Sequence, residues 1–273
     1  MSKISNSPIG VFDSGVGGLS VLRALRTELP QERFVYVADS GHAPYGERDD
    51  DYLIERSHRI ARWFKERHQI KALVVACNTA TAAAIHVLRE AHPNLFIIGI
   101  EPALKPAVAH SKTKVVGVMA TRSTLSSEKF KRLLTSLQDQ ANFVLQPCSD
   151  LVPAIEAFDA IKIDAACIEY TRAMGTFGLQ HGEMDTLVLG CTHYPFAEHS
   201  LRLGTGNAVT FMEGGAPVAR QTRRLLEAAN KLGNKQLAEQ ASLDLFSTGD
   251  PAALAAAAHR WLGINVSSRV LTV

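Results

Sequence analysis

Short runs of apolar residues alternate with longer segments of mixed polarity along the whole chain. An unbroken apolar run of about four to eight residues is typical of a strand buried on both faces of a parallel sheet. Such runs occupy residues 9–12, 34–37, 72–76, 95–100, 115–121 and 187–190, and segments of mixed polarity at 209–211 and 243–247 follow them. Between them, apolar residues at helical spacing predict helices over residues 19–29, 52–68, 79–90 and 216–232, and Asp250-Pro251 opens a last one. The alternation predicts an α/β protein with a doubly wound parallel sheet.

Two parts of this pattern repeat in the same order. Gly10 precedes Cys77 by 67 positions and Gly117 precedes Cys191 by 74, and each cysteine ends an apolar run. The repeat predicts two related α/β halves that face one another across a cleft. Residues just beyond the carboxyl ends of parallel strands line the ligand crevice. We therefore expect one thiol at the mouth of each half.

Composition and charge exclude several classes of protein. The net charge of +2 gives no electrostatic case for a nucleic-acid partner. The densest basic stretch, residues 56–67, follows three aspartates and predicts a solvated helix. No apolar run is long enough to cross a bilayer, and residues 1–8 lack the apolar centre of a signal peptide, so a cytoplasmic protein is expected.

The four cysteines show no C-x-x-C spacing, so the sequence predicts no zinc site and no thioredoxin motif. Free thiols are expected in a reducing compartment. Cys148 and Cys167 end no strand run and are predicted to be buried structural residues.

The matched thiols suggest a reaction that needs an acid and a base on opposite faces of one carbon. Inversion at the α-carbon of an amino acid is such a reaction, and without a cofactor it requires both groups. A cysteine can serve either role when a helix N-terminus or a protonated histidine favours its thiolate. A helix is predicted after each cysteine, with Asp13 assisting Cys77 and His193 assisting Cys191. Polar groups for the substrate lie mostly at strand ends: Ser14, Tyr45, Asn78, Thr79, Thr121, Thr124 and Thr192.

Other chemistries fit the same residues less well. The glycine loop of residues 13–20 has Ser20 where a dinucleotide fingerprint needs Gly or Ala, and Asp13 would repel a pyrophosphate. Its main-chain N–H groups still suit a small carboxylate. A nucleotide-dependent dehydrogenase and a non-catalytic binder of a small acidic metabolite remain the alternatives from other classes.

Four motifs taken together resemble those of bacterial glutamate racemases, in the same order. They are Phe12-Asp13-Ser14-Gly15-Val16-Gly17-Gly18-Leu19, Pro44-Tyr45-Gly46, Ala76-Cys77-Asn78-Thr79-Ala80 and Leu189-Gly190-Cys191-Thr192-His193-Tyr194-Pro195. Segments 151–156 and 247–251 are similar too, so the resemblance covers nearly the full length.

The resemblance implies cofactor-independent interconversion of L- and D-glutamate for peptidoglycan synthesis, with Cys77 and Cys191 as proton donor and acceptor. It implies substrate contacts by Asp13, Ser14, Tyr45, Gly46, Asn78, Thr79, Thr192 and His193. Glu156, which by pattern alone faces water, matches a carboxylate near the second cysteine. Two α/β domains related by pseudo-twofold symmetry are implied, residues 1–98 with 212–273 and residues 99–211, with the active site between them.

The expected partner is therefore a small molecule, glutamate, with no cofactor, metal, nucleic acid or membrane; a homodimer is compatible with the sequence. An aspartate or hydantoin racemase is the alternative within the class, because the two-thiol arrangement is shared. Two departures from the family pattern stand out. Ser123 replaces a common glycine, and residues 212–215 replace a more usual Asp-Ser or Asn-Ser pair.

Overall fold

The computed structural model describes residues 6–233 and 242–273. The chain forms two compact units, one drawn from residues 1–100 and 215–273 and the other from residues 101–214. Of residues 1–8, which the sequence analysis compared with a signal peptide, residues 1–5 lie outside the described part. Among the described residues, no helix has the length and apolarity that a membrane crossing needs.

The first unit is built on a six-stranded parallel sheet. Its strands are β1 (Ile9–Asp13), β2 (Phe34–Ala38), β3 (Ala72–Val75), β4 (Phe96–Gly99), β9 (Leu243–Ser247) and β10 (Ser268–Val270). They lie in the order β10-β9-β2-β1-β3-β4. The helices of this unit are α1 (Leu19–Glu28), α2 (Asp50–Trp63), α3 (Asn78–Ala91), α10 (Gly215–Ala228) and α11 (Pro251–Leu262).

The end of the chain completes this sheet. β9 pairs in parallel with β2, and β10 pairs in parallel with β9. Asp250 caps α11 by accepting from Ala252 N–H, with Pro251 in the first turn, as the sequence predicts. The short, largely exposed β10 has too few apolar residues to be predicted from its pattern.

The second unit carries a four-stranded parallel sheet, β6-β5-β7-β8. Its strands are β5 (Val115–Ala120), β6 (Asn142–Pro147), β7 (Thr186–Leu189) and β8 (Thr210–Glu213). The helices are α4 (Leu104–His110), α5 (Arg122–Ser126), α6 (Glu128–Thr135), α7 (Leu151–Glu156), α8 (Ala160–Met174) and α9 (Glu198–Thr205). β6 is only partly buried at the sheet edge, which explains why it lacks the apolar run of a central strand.

The two sheets share a four-strand arrangement with the same register. The order β2-β1-β3-β4 in the first corresponds to β6-β5-β7-β8 in the second. Gly10 pairs with Leu73, and Gly117 pairs with Leu187. Cys77 and Cys191 each lie four positions beyond that partner. The predicted repeat therefore corresponds to one strand arrangement built twice, and the predicted α/β class with parallel sheets is confirmed.

The two glycines of the repeat allow close packing on each central strand. A Cβ at Gly10 would lie 2.9 Å from Cδ1 of Phe64, and one at Gly117 would lie 2.7 Å from Cε of Met174. Side chains from flanking segments thus rest directly on the strand backbone. This close approach explains the glycine at the same register of both sheets.

A buried carboxylate organises the start of the second sheet. Asp185 accepts from the Ser111 hydroxyl at 2.6 Å, the Lys112 N–H at 2.7 Å, the Thr113 N–H at 3.0 Å and the Thr186 hydroxyl at 2.8 Å. Burial alone would raise the pKa of Asp185, but these hydrogen bonds outweigh it and lower the pKa to about 2. The anion therefore ties the loop before β5 to the first residue of β7.

We expect Asp185→Asn to lower the free energy of unfolding at pH 7 by about 1–3 kcal/mol. The NH₂ group of the new amide would face the N–H and O–H donors that now bind the carboxylate. The folded pKa lies below the unfolded one, so this stability is present above about pH 4 and is lost as pH falls toward 2. Urea unfolding at pH 7, 4 and 2.5 measures both effects. The exposed Asp139→Asn is the control; an equal acid sensitivity of wild type and Asp185→Asn would contradict the prediction.

Candidate active site

Cys77 lies at the carboxyl end of β3, where the chain turns into α3. Its sulfur is the N-cap acceptor of that helix, receiving the Ala80 N–H at 3.4 Å. The thiol donates to Oγ of Ser14 at 3.7 Å. The prediction of a helix start directly after this cysteine is confirmed. A helix N-terminus favours negative charge, so it supports a thiolate here.

The glycine loop after β1 is folded around the carboxylate of Asp13. Oδ2 of this fully buried residue accepts the Gly15 N–H at 3.1 Å and the Gly18 N–H at 3.0 Å. The expectation that this loop offers its N–H groups to an external carboxylate is wrong for those two amides, because an internal carboxylate already uses them. The loop thereby holds Ser14 beside Cys77.

A second buried carboxylate, Asp39, holds the segment that carries Tyr45 and Gly46. Tyr45 donates its hydroxyl to Oδ2 of Asp39 at 2.5 Å, and Thr248 donates to Oδ1 at 2.9 Å. Arg56 grips both oxygens, with its Nε at 3.1 Å and its Nη2 at 2.8 Å. Burial and the Asp39 charge raise the pKa of Tyr45 well above its ordinary value, so its hydroxyl stays protonated.

Arg56 corrects the prediction of a solvated basic helix over residues 56–67. Its side chain is 5% exposed, although that of Arg59, three positions later in the same stretch, is 53% exposed. Arg56 lies between Leu53 and Ile60, at the spacing of the buried stripe of α2. That spacing is the signal by which the sequence could have revealed a buried, paired arginine.

Cys191 is supported differently, by an imidazole and a carboxylate. Its sulfur lies 3.6 Å from Nδ1 of His193, and Nε2 of His193 lies 2.6 Å from Oε1 of Glu156. Glu156 is the last residue of α7, and its carboxylate is bonded to the histidine rather than left to water as the helical pattern predicts. The three side chains form a line from carboxylate to imidazole to thiol.

The electrostatics of this line favour a charged imidazole. Burial alone would lower the pKa of His193, but hydrogen bonds and charges from Cys191 and Glu156 outweigh it and hold the pKa well above the usual value. No helix begins directly after Cys191, contrary to the prediction; a 3₁₀ turn, Tyr194–Ala197, follows His193. The imidazolium takes the place that a helix N-terminus has at Cys77.

The other predicted polar residues take up varied positions. Asn78 opens α3, and its buried Oδ1 has no hydrogen-bond partner in the described part of the chain. Thr79 and Thr192 are buried beside the two cysteines. The Thr121 hydroxyl caps α5 and donates to Oγ1 of Thr124 at 2.9 Å, so these two hydroxyls are hydrogen-bonded to each other.

The remaining two cysteines are fully buried thiols. Burial is the main cause that raises the pKa of Cys148 above its ordinary range and that of Cys167 to about 12. Both therefore remain protonated near neutral pH. Within residues 6–233 and 242–273, no group of three or more His, Cys, Asp or Glu side chains is placed to hold a metal ion.

Comparisons with known proteins identify the relatives of this chain. The family model of Asp/Glu/hydantoin racemases matches residues 9–222. A glutamate racemase of Ralstonia pickettii is 48% identical over 266 residues, which cover 96% of this chain and 90% of that protein. One of Stutzerimonas stutzeri is 45% identical over 251 residues, 91% of each chain.

Solved structures give the same result. A glutamate racemase isoform from Bacillus anthracis superposes with a TM-score of 0.83 at 30% identity, covering 98% of each chain. The Escherichia coli glutamate racemase in complex with L-glutamate and the activator UDP-MurNAc-ala gives 0.82 at 28% identity, covering 97% of each. The chain therefore belongs to the Asp/Glu/hydantoin racemase family of isomerases. Within that family it groups with the bacterial glutamate racemases, which confirms the resemblance seen in its motifs.

We expect Glu156→Gln to lower the pKa of His193 toward about 6.5, because the anion bonded to Nε2 is removed. The raised folded pKa means that the pair stabilises the protein below about pH 6.5 and that this contribution is lost as pH rises through the folded pKa. Two-dimensional NMR of labelled histidines follows the titration. Glu198→Gln, at an exposed position of α9 in the same unit, is the control. An unchanged His193 titration in Glu156→Gln would contradict this assignment.

We expect Arg56→Met to lower the free energy of unfolding by about 3–5 kcal/mol, because it leaves the Asp39 carboxylate buried without its ion partner. The double variant Asp39→Asn/Arg56→Met should lose less than the sum of the two single variants, since no uncompensated charge remains. Urea unfolding of all four proteins completes the cycle. Arg59→Met, whose ion pair is exposed, should cost under about 1 kcal/mol. Strict additivity in the cycle would show that the ion pair is not what couples these residues.

Proposed function

We propose that the chain interconverts L- and D-glutamate without a cofactor, with Cys77 and Cys191 exchanging protons at opposite faces of the α-carbon. The observation that carries this proposal is the register of the two sheets. Each presents a cysteine four positions beyond the residue paired with its central-strand glycine. A structural cysteine needs no such match, whereas a reaction with one acid and one base does.

The proposed reaction is balanced by two proton transfers. For one enantiomer, the thiolate of one cysteine removes the α-proton, and the electron pair stays on the α-carbon as a carbanion. The thiol of the other cysteine then donates a proton to the opposite face. The product leaves with the protonation of the two sulfurs reversed, so the same pair serves the other enantiomer. No electron acceptor is required.

The surroundings of the thiols support distinct auxiliary roles. His193, oriented by Glu156, would stabilise the thiolate of Cys191 and return its proton. At Cys77, the Ala80 N–H and the α3 N-terminus would stabilise the thiolate, and Asp13 would assist by holding Ser14 in place. We assign the substrate contacts to Asp13, Ser14, Tyr45, Gly46, Asn78, Thr79, Thr121, Thr124, Thr192 and His193.

The relatives support the choice of substrate. Those compared above are glutamate racemases, and one of them is described in complex with L-glutamate. The orphaned Oδ1 of Asn78 beside Cys77 is an acceptor suited to a substrate ammonium group. On the resemblance to bacterial glutamate racemases, we propose that the D-glutamate supplies peptidoglycan synthesis.

Incubation with L-glutamate in heavy water tests the reaction. We expect optical rotation to be lost while deuterium enters the α-position, because the returned proton comes from a thiol that has exchanged with solvent. Cys77→Ala and Cys191→Ala should each lower turnover roughly 10²- to 10⁴-fold, the usual contribution of a positioned acid or base. Polarimetry and proton NMR give the two rates.

Cys167→Ala is the matched control, since it removes a buried thiol that ends no strand. It should retain turnover within about twofold, with any loss confined to stability. Turnover near the wild-type rate in either Cys77→Ala or Cys191→Ala would contradict the two-thiol mechanism. Exchange with L-aspartate but not with L-glutamate would assign the chain to the alternative substrate of its family.

A further inference from the structure

A buried tyrosine of the first unit is placed to control the loop beside Cys77. Tyr36 lies in β2, paired with Val11 of the central strand, and its side chain is fully buried. Its hydroxyl donates to the main-chain carbonyl of Gly15 at 2.7 Å. Gly15 is the residue whose N–H is bonded to Asp13. The peptide unit on each side of Gly15 is thus held by a different buried side chain.

The packing around this hydroxyl leaves little freedom. A Cβ at Gly18 would lie 2.7 Å from Oη of Tyr36 and 2.5 Å from Cβ of Asp13. The backbone of Gly18 is in the right-handed helical region, so a side chain is excluded there by its neighbours and not by its dihedral angles. Tyr36 and Asp13 therefore clamp the loop between them. Ser14, whose hydroxyl accepts from the Cys77 thiol, sits within the clamped segment.

The second sheet provides an internal comparison. Leu145 pairs with Val118 there, at the register that Tyr36 and Val11 occupy in the first sheet. Ala120 occupies the register of Asp13. The second sheet therefore has neither a hydroxyl at the position of Tyr36 nor a carboxylate at the position of Asp13. Its thiol, Cys191, is hydrogen-bonded to His193. Because the two sheets differ at both positions, we infer that Tyr36 and Asp13 serve the same role beside Cys77.

We propose that Tyr36 is a positioning residue for proton transfer at Cys77, acting through the Gly15 carbonyl to fix Ser14 and Asp13. This inference rests on the proposed function and names a residue that its sequence motifs do not contain. No contact with substrate or with the reacting sulfur is assigned to this side chain. Its hydroxyl instead fixes the position of the glycine loop while the Cys77 thiol gains or loses its proton.

The test compares the reactivity of the two thiols within one molecule. Tyr36→Phe keeps the ring and removes only the hydroxyl. We expect turnover to fall about tenfold or more through kcat, with KM changed less than threefold. Iodoacetamide labelling, followed by peptide mass spectrometry, should show Cys77 alkylated at least threefold faster as its loop loosens. Cys191 should react at the wild-type rate.

Tyr170→Phe is the control, because it removes a phenol hydroxyl from the second unit and should leave turnover and both labelling rates within twofold. Gly18→Ala is the second variant, needed if Tyr36→Phe does not fold. It leaves the ring in the core and displaces the hydroxyl and Asp13 together, so it should show the same selective change at Cys77.

Two results would overturn the proposal. One is turnover within twofold of wild type in folded Tyr36→Phe. The other is equal acceleration of labelling at Cys77 and Cys191, which indicates general loosening of the fold. A wild-type protein that does not racemise glutamate would count against the proposed function alone, because the labelling comparison still reports whether Tyr36 holds the loop.

Discussion

Parallel pairing between a central strand and its neighbour is the constraint on which both cysteines depend. Ala76 N–H donates to the Phe12 carbonyl at 2.8 Å, and Gly190 N–H donates to the Met119 carbonyl at 2.7 Å. These main-chain bonds fix the last residue before each thiol to the strand that carries the preceding loop. A shift of register by one residue would turn each cysteine to the other face of its sheet. Backbone hydrogen bonds therefore place both sulfurs before any side-chain contact contributes.

The same strand arrangement supports its two thiols by different physical means. At Cys77 the sulfur meets a helix N-terminus and a hydroxyl held by a loop folded on Asp13. At Cys191 the sulfur meets the imidazole of His193, which is hydrogen-bonded to Glu156 and whose pKa is raised by these two partners. A helix dipole is fixed, whereas a histidine titrates. The two thiols consequently meet unequal electrostatic environments on one repeated strand arrangement.

Buried charges fix the loops of the first unit. Asp39 joins Arg56 of α2 to Thr248 at the end of β9, and Lys71 meets Glu32 at 2.5 Å where β3 begins. Such pairs cost desolvation energy and contribute less to stability than to a unique arrangement when every partner is present. Here they connect separate segments: Asp39 is 17 positions from Arg56 and 209 positions from Thr248, which lies in the last part of the chain.

The sequence alone determined the α/β class, most central strands and the two strand-end cysteines, because buried parallel strands leave unbroken apolar runs and the repeat brings its glycine and cysteine twice. Only the tertiary structure decided the partners of the charged groups. Arg56 is buried, Glu156 reaches His193, and the amides of the glycine loop bind Asp13, although local pattern predicted solvent or an outside ligand for each. Edge strands such as β6 and β10 were not predicted, because a strand that pairs on one side and meets water on the other lacks an unbroken apolar run. Periodicity records burial, whereas the direction and partner of a polar side chain depend on residues distant in the chain.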